Sequence, residues 1–113
     1  MGKVKKSTRV ERERARLSEI FKDLDANKLD TCLALIDRAA FITVSLEDLE
    51  EQLNATGWVE PYQNGENQKG FKQSAAANVH ISLTKNLNST MKTLLDLVPP
   101  AQKQSRLVEM MKK

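Results

Sequence analysis

Between Val79 and Val98 the apolar residues Val79, Leu83, Leu87, Met91, Leu94, Leu95 and Val98 recur largely at steps of three and four, until Pro99-Pro100 ends the run. That spacing places them on one stripe of a helix. The paired prolines have no N–H to donate and stop it. A stripe this long has to be covered by a second apolar surface. Leu29, Cys32, Leu33, Ile36, Ala39 and Ala40 supply one with the same period, so the expected core is a hairpin of two helices. A basic helix precedes it, from about Val10 to Leu24, with Val10, Leu17, Ile20, Phe21 and Leu24 on one face and Asp25-Ala26-Asn27 as the break.

Two stretches between the long helices carry local signals. Phe41-Ile42-Thr43-Val44 contains a β-branched run, and Ser45-Leu46-Glu47-Asp48 resembles a capping box with Asp in the last position, so a kink or a turn is expected there. Leu46, Leu49 and Leu53 then continue an apolar face to about Thr56, and Gly57 stands where a helix-ending glycine accepts positive φ. Trp58 to Lys72 holds the densest turn chemistry, with Pro61, Asn64-Gly65 and Gly70, and reads as a loop or small hairpin. Its aromatics Trp58, Tyr62 and Phe71 are expected to seal the end of the helical hairpin, with stacking on bases as the alternative. Beyond the prolines, Leu107, Val108 and Met110 support a last short helical turn or two, expected to order on binding.

The composition agrees with an all-α class: four glycines, three prolines and 4% aromatic residues leave little material for a sandwich or barrel. One cysteine and one histidine, Cys32 and His80, exclude an internal disulfide and a Cys/His metal cage within one chain. A reduced, cytoplasmic setting and no cofactor are expected. The opening sixteen residues have no apolar h-region, and no window reaches the ~18 apolar residues of a membrane span. Three regions follow: a basic arm and helix at 1–26, a helical core and oligomerisation domain at 27–98, and a basic tail at 99–113. Leu29, Leu33, Ile36, Val79, Leu83, Leu87 and Met91 are the expected core, and Leu49, Leu53, Leu94 and Leu95 the expected oligomer interface.

The net charge of +3 conceals a strong polarity. Met1 to Arg16 has seven basic against two acidic residues, net +5, whereas Leu17 to Glu60 has three against ten, net −7. Phosphate neutralisation requires clustered cations, so Lys3, Lys5, Lys6, Arg9, Arg12, Arg14 and Arg16 are the candidate DNA-binding residues. The other reading is a solvated tail, or a basic end paired with the acidic middle of a neighbouring copy.

Catalytic signatures are missing from the pattern. Gly65 and Gly70 are followed by Phe71-Lys72 rather than the Lys-Ser/Thr of a phosphate loop. His80 sits in a helical stripe with no Ser or Cys nucleophile at a recognisable elbow, so a packing or surface role is expected. The carboxylates Glu47, Asp48, Glu50 and Glu51 read as a solvated acidic face rather than a metal site. A helix-turn-helix pivoting near Val44-Ser45 would present those four carboxylates to DNA, which electrostatics opposes.

Phe21-Lys22-Asp23-Leu24-Asp25-Ala26-Asn27-Lys28, then Ala39 to Leu49 (AAFITVSLEDL), then Tyr62 to Phe71 (YQNGENQKGF) resemble small terminase subunits of tailed bacteriophages. The resemblance spans roughly Arg9 to Leu97. It implies a non-enzymatic DNA-packaging component in the host cytoplasm. Such a component assembles into a ring, engages double-stranded viral DNA, and recruits a large subunit that supplies ATPase and nuclease. By resemblance, the segment with Lys103, Arg106 and Leu107 is the large-subunit contact. Many small terminases carry a separate N-terminal helix-turn-helix domain, and this chain has room for only one basic helix there. Two other classes fit the same composition: a DNA-binding transcription regulator acting as a dimer, and a helical adaptor that binds protein and no nucleic acid.

Overall fold

The computed structural model describes residues 4–63, 65 and 69–112. Its described residues form α1 (Lys6–Ile20), α2 (Ala26–Thr56), a hairpin of β1 (Val59–Gln63) and β2 (Lys69–Gln73), α3 (Ala75–Asp96), a 3-10 turn (Pro100–Gln102) and α4 (Lys103–Met111). The structure is mostly helical with one small antiparallel sheet. α2 and α3 run antiparallel: Lys28 Nζ at the start of α2 donates to the Leu97 carbonyl just past the end of α3 at 3.2 Å.

The first helix begins and ends about four residues earlier than the apolar spacing suggests. It closes when the Phe21 N–H donates to the Leu17 carbonyl, which turns Phe21 into the core at 1% exposure. The expected break at 41–45 does not occur, and α2 runs through it for 31 residues. Ile42, Val44 and Leu46 are buried there. Each β-branched residue lowers helix propensity by only about half a kcal/mol, whereas burying its side chain returns roughly 1.5–3 kcal/mol. The capping box at Ser45 is therefore absent: Ser45 Oγ is buried without a hydrogen-bond partner among the described residues. A helix-turn-helix at this position is excluded, because the two helices it needs are one.

The local signals around the hairpin hold. Gly57 ends α2 at φ 95° with its N–H on the Leu53 carbonyl. Ser74 caps α3, its Oγ accepting from the Ala77 N–H at 3.1 Å while its own N–H donates to the Trp58 carbonyl. Ser74 is buried, so Ser74→Ala is expected to cost about 1–2 kcal/mol, read as a lowered urea midpoint. Asn64 lies outside the described residues, while Gly65 has φ 83°.

The core gathers at one end. Leu17, Phe21, Cys32, Ile36, Ala39, Leu94, Val98 and Met110 form one buried cluster, drawing on α1, α2, the end of α3 and α4. Burial pushes the Cys32 thiol up from its ordinary range and leaves it a small apolar core residue. Residues 99–112 of the expected basic tail dock through Met110, which is 4% exposed. The division between core and interface is also revised. Leu53 and Leu94 are fully buried within the chain, Leu49 and Leu95 are half-buried, and Val79, expected in the core, is 50% exposed.

The other end is thin. The long helices give extents of 63 × 38 × 22 Å and a radius of gyration of 18.2 Å, against about 13 Å for a compact domain of this length. There the start of α1, with Val4, Lys6 and Arg9 beside Asp48, Gln52 and Ala55, lies along α2 below the projecting hairpin.

Candidate nucleic-acid interface

Lys5, Arg9, Arg12 and Arg16 follow one another at four, three and four residues and so share a stripe along α1. The stripe flanks the buried positions Glu13 and Leu17. Tertiary contacts divide the candidate cations into two groups.

Arg9, Arg14 and Arg16 fasten α1 to the rest of the fold. Arg9 bonds Asp48 through Nη1 and Glu47 through Nη2, the latter at 3.1 Å. Arg14 Nε bonds Asp37, and its Nη1 lies 3.6 Å from Glu11. The hydrogen bond that Arg9 donates to Asp48 pushes its guanidinium further above its already high range, and the bond that Arg14 donates to Asp37 does the same there. Arg16 Nε bonds Glu13, whose side chain is 4% exposed. Its terminal nitrogens reach the carbonyls of Glu109 (3.2 Å), Met110 (3.0 Å) and Lys112 (2.7 Å), satisfying the open end of α4. These three arginines are structural in this geometry, which corrects the reading of a uniformly available basic arm.

Lys5, Lys6 and Arg12 remain on the surface. Lys5 and Arg12 are exposed and have no carboxylate partner among the described residues. Lys6, also exposed, places Nζ 4.5 Å from the centre of the Phe41 ring, a contact that leaves the ammonium able to meet a phosphate. Lys3 lies outside the described residues. Nothing in the local pattern separates Arg12 from Arg9, because their difference is set by α2 residues more than thirty positions away.

The acidic cluster of α2 is a solvated face, with Glu47, Asp48 and Glu50 at 42%, 40% and 51% side-chain exposure, and it also makes contacts that the sequence did not suggest. Glu47 and Asp48 hold Arg9, and Glu50 Oε2 lies 2.9 Å from His80 Nε2. Trp58 meets the His80 ring edge-on at 5.2 Å. His80 therefore ties α2, α3 and the base of the hairpin together. No three His, Cys, Asp or Glu side chains group as a metal site among the described residues. Nor is any described helix long and apolar enough to cross a membrane.

No protein-family model, curated protein or solved structure matches the chain.

The C-terminal candidates are partly engaged. Lys103 Nζ pairs with Asp96 at 3.2 Å, Arg106 bonds Gln102 and lies 3.8 Å from Asp23, and Leu107 is half-buried. Val108 and Met111, at 44% and 73% exposure, are the apolar side chains that α4 presents outward. The hairpin aromatics do not seal the helical end: Trp58, Tyr62 and Phe71 are 42%, 39% and 76% exposed.

Proposed function

We propose that this chain is a small terminase subunit, a non-catalytic, self-assembling component that binds double-stranded viral DNA and delivers it to a separate large ATPase/nuclease subunit. The reading starts from the resemblance between residues 21 and 71. One observation supports it further: α1 is pinned to the fold by Arg9, Arg14 and Arg16 while Lys5, Lys6 and Arg12 stay exposed. A helix held this way offers a rigid set of cations to a phosphate backbone without sequence readout. The large subunit would meet α4, where Lys103, Arg106 and Leu107 lie beside the exposed Val108 and Met111. Hydrolysis belongs to that partner.

Fluorescence anisotropy with a short duplex tests the DNA role. Three phosphate contacts per subunit give a slope of about −3 in log affinity against log salt, and Arg12→Ala is expected to bring it about one unit nearer zero. Absence of binding at low salt would sink the DNA assignment. It would favour the protein-binding adaptor, a reading helped by the arginines already held inside the fold.

A further inference from the structure

From Asn67 to Leu95 the sequence holds no acidic residue, whereas Leu17 to Glu60 holds ten. α3 lies within that stretch and packs one side against α2. On its outward side Asn78, Ser82, Lys85, Ser89 and Lys92 follow one another at four, three, four and three residues and so form a single stripe. All five are exposed. The stripe ends at Asp96, which Lys103 pairs at 3.2 Å.

Two properties set this face apart. Its side chains are unengaged: none of the five has a side-chain hydrogen bond or ion pair among the described residues. The α3 threonines Thr84, Thr90 and Thr93, by contrast, turn their hydroxyls back onto carbonyls one turn earlier. The composition of the stripe also works against the helix. Asn and Ser are poorer helix formers than the Ala, Glu, Lys and Arg that suit an exposed position, because their short polar side chains compete for the backbone. α1 follows the usual rule, with Glu11, Arg12 and Glu19 outward. Burial repays the weak propensity of Ile42 and Val44, but nothing covers this face of α3. Local choices that weaken an element without a gain in packing collect at functional surfaces.

We propose that the outward face of α3 is a second DNA surface, one that enters the major groove and reads base edges. The inference rests on the DNA role in the proposed function and adds the sequence readout that the α1 cations lack. Chemistry selects the occupant. An Asn amide matches adenine with one donor and one acceptor, Lys donates to guanine, and Ser serves base edges or phosphates. Two lysines set among neutral amides and hydroxyls suit base edges beside a polyanionic backbone better than a cluster of carboxylates. An apolar partner would find no hydrophobic patch on the stripe, and a basic partner no anion before Asp96. The dimensions agree. The major groove admits an α-helix, and the run from Asn78 to Lys92 is about 21 Å long, the rise of about six base pairs.

The test is selection of duplexes by the full chain from a random-sequence pool, followed by fluorescence anisotropy of the enriched duplex against a scrambled one. Wild type, Asn78→Ala, the double variant Ser82→Ala/Ser89→Ala and Arg12→Ala are compared. Wild type is expected to favour the enriched duplex about a hundredfold, and Asn78→Ala and the double variant each to lose about tenfold of that preference. Arg12→Ala should weaken both duplexes alike. Because Ala is the better helix former, the double variant should also raise the urea midpoint. A lowered midpoint would give these serines a structural role and overturn the inference. So would a pool that yields no motif, or α3 variants that keep the preference, and either result leaves the α1 cations and the terminase reading in place. Preference lost in the α3 variants with Arg12→Ala unchanged upholds the inference and overturns the α1 assignment. No affinity for any duplex at low salt overturns both.

Discussion

Arg16→Ala is expected to undock α4 and to lower the stability of the fold by about 2–4 kcal/mol. Two losses combine. Glu13, buried at 5% exposure, loses the guanidinium that balances its charge, and truncating one partner of a buried pair is far costlier than the pair's net worth. The last turn of α4 also loses a donor that serves the Glu109, Met110 and Lys112 carbonyls at once. With α4 free, Met110 leaves the core cluster. Arg16→Lys should recover only part of the loss, since an ammonium lacks the planar fork that spans Glu13 and the helix end. Hydrogen exchange across 103–111 is the direct measurement. Unchanged protection there would show that α4 is held by something other than Arg16.

Leu94→Ala is expected to cost about 3–4 kcal/mol and to lower the melting temperature by roughly 10–20 °C. Leu94 is fully buried in the cluster that includes Leu17, Phe21, Cys32, Ile36 and Met110, so the space left by its side chain is walled by four different elements. Such a loss is a large share of the 5–15 kcal/mol that holds a typical domain together. Leu95, half-buried on the next position, should lose much less on the same truncation. Urea denaturation of both variants separates core from interface. If Leu94→Ala shifted the assembly mass while leaving the urea midpoint in place, Leu94 would belong between subunits and the packing described here would be wrong.

Phosphate contact is assigned to the outward cations of α1, a helix that lies along α2 as far as its C-terminal half. Arg9 makes that junction. It joins α1 to Glu47 and Asp48, so its loss would alter both the placement of the cations and the support of the α2 C-terminal half.

Several features were legible because their cause is local. Pro99-Pro100 ends the helical stripe, and Gly57 stops α2 with a positive φ. The hairpin follows from turn residues between two long apolar patterns. The uninterrupted α2 was not legible, since the weak helix propensity of 41–44 is outweighed by burial that other elements supply. The site was misread for a similar reason. Seven cations in sixteen residues look equivalent along the chain, yet Arg9 and Arg14 find α2 carboxylates 39 and 23 positions away, and Arg16 finds α4 carbonyls 93–96 positions away.

By itself the sequence determined the helical class, the hairpin of long helices with a turn-rich insert, and the opposition of a basic beginning to an acidic middle. These depend on periodicity, backbone chemistry and charge counts, all set within a few residues. Only the tertiary structure decided which arginines are bound and which face solvent, that α4 docks, and that Leu53 and Leu94 are core while Phe71 and Val79 are surface. Those outcomes depend on which groups become neighbours when distant segments pack, and no local window contains that information.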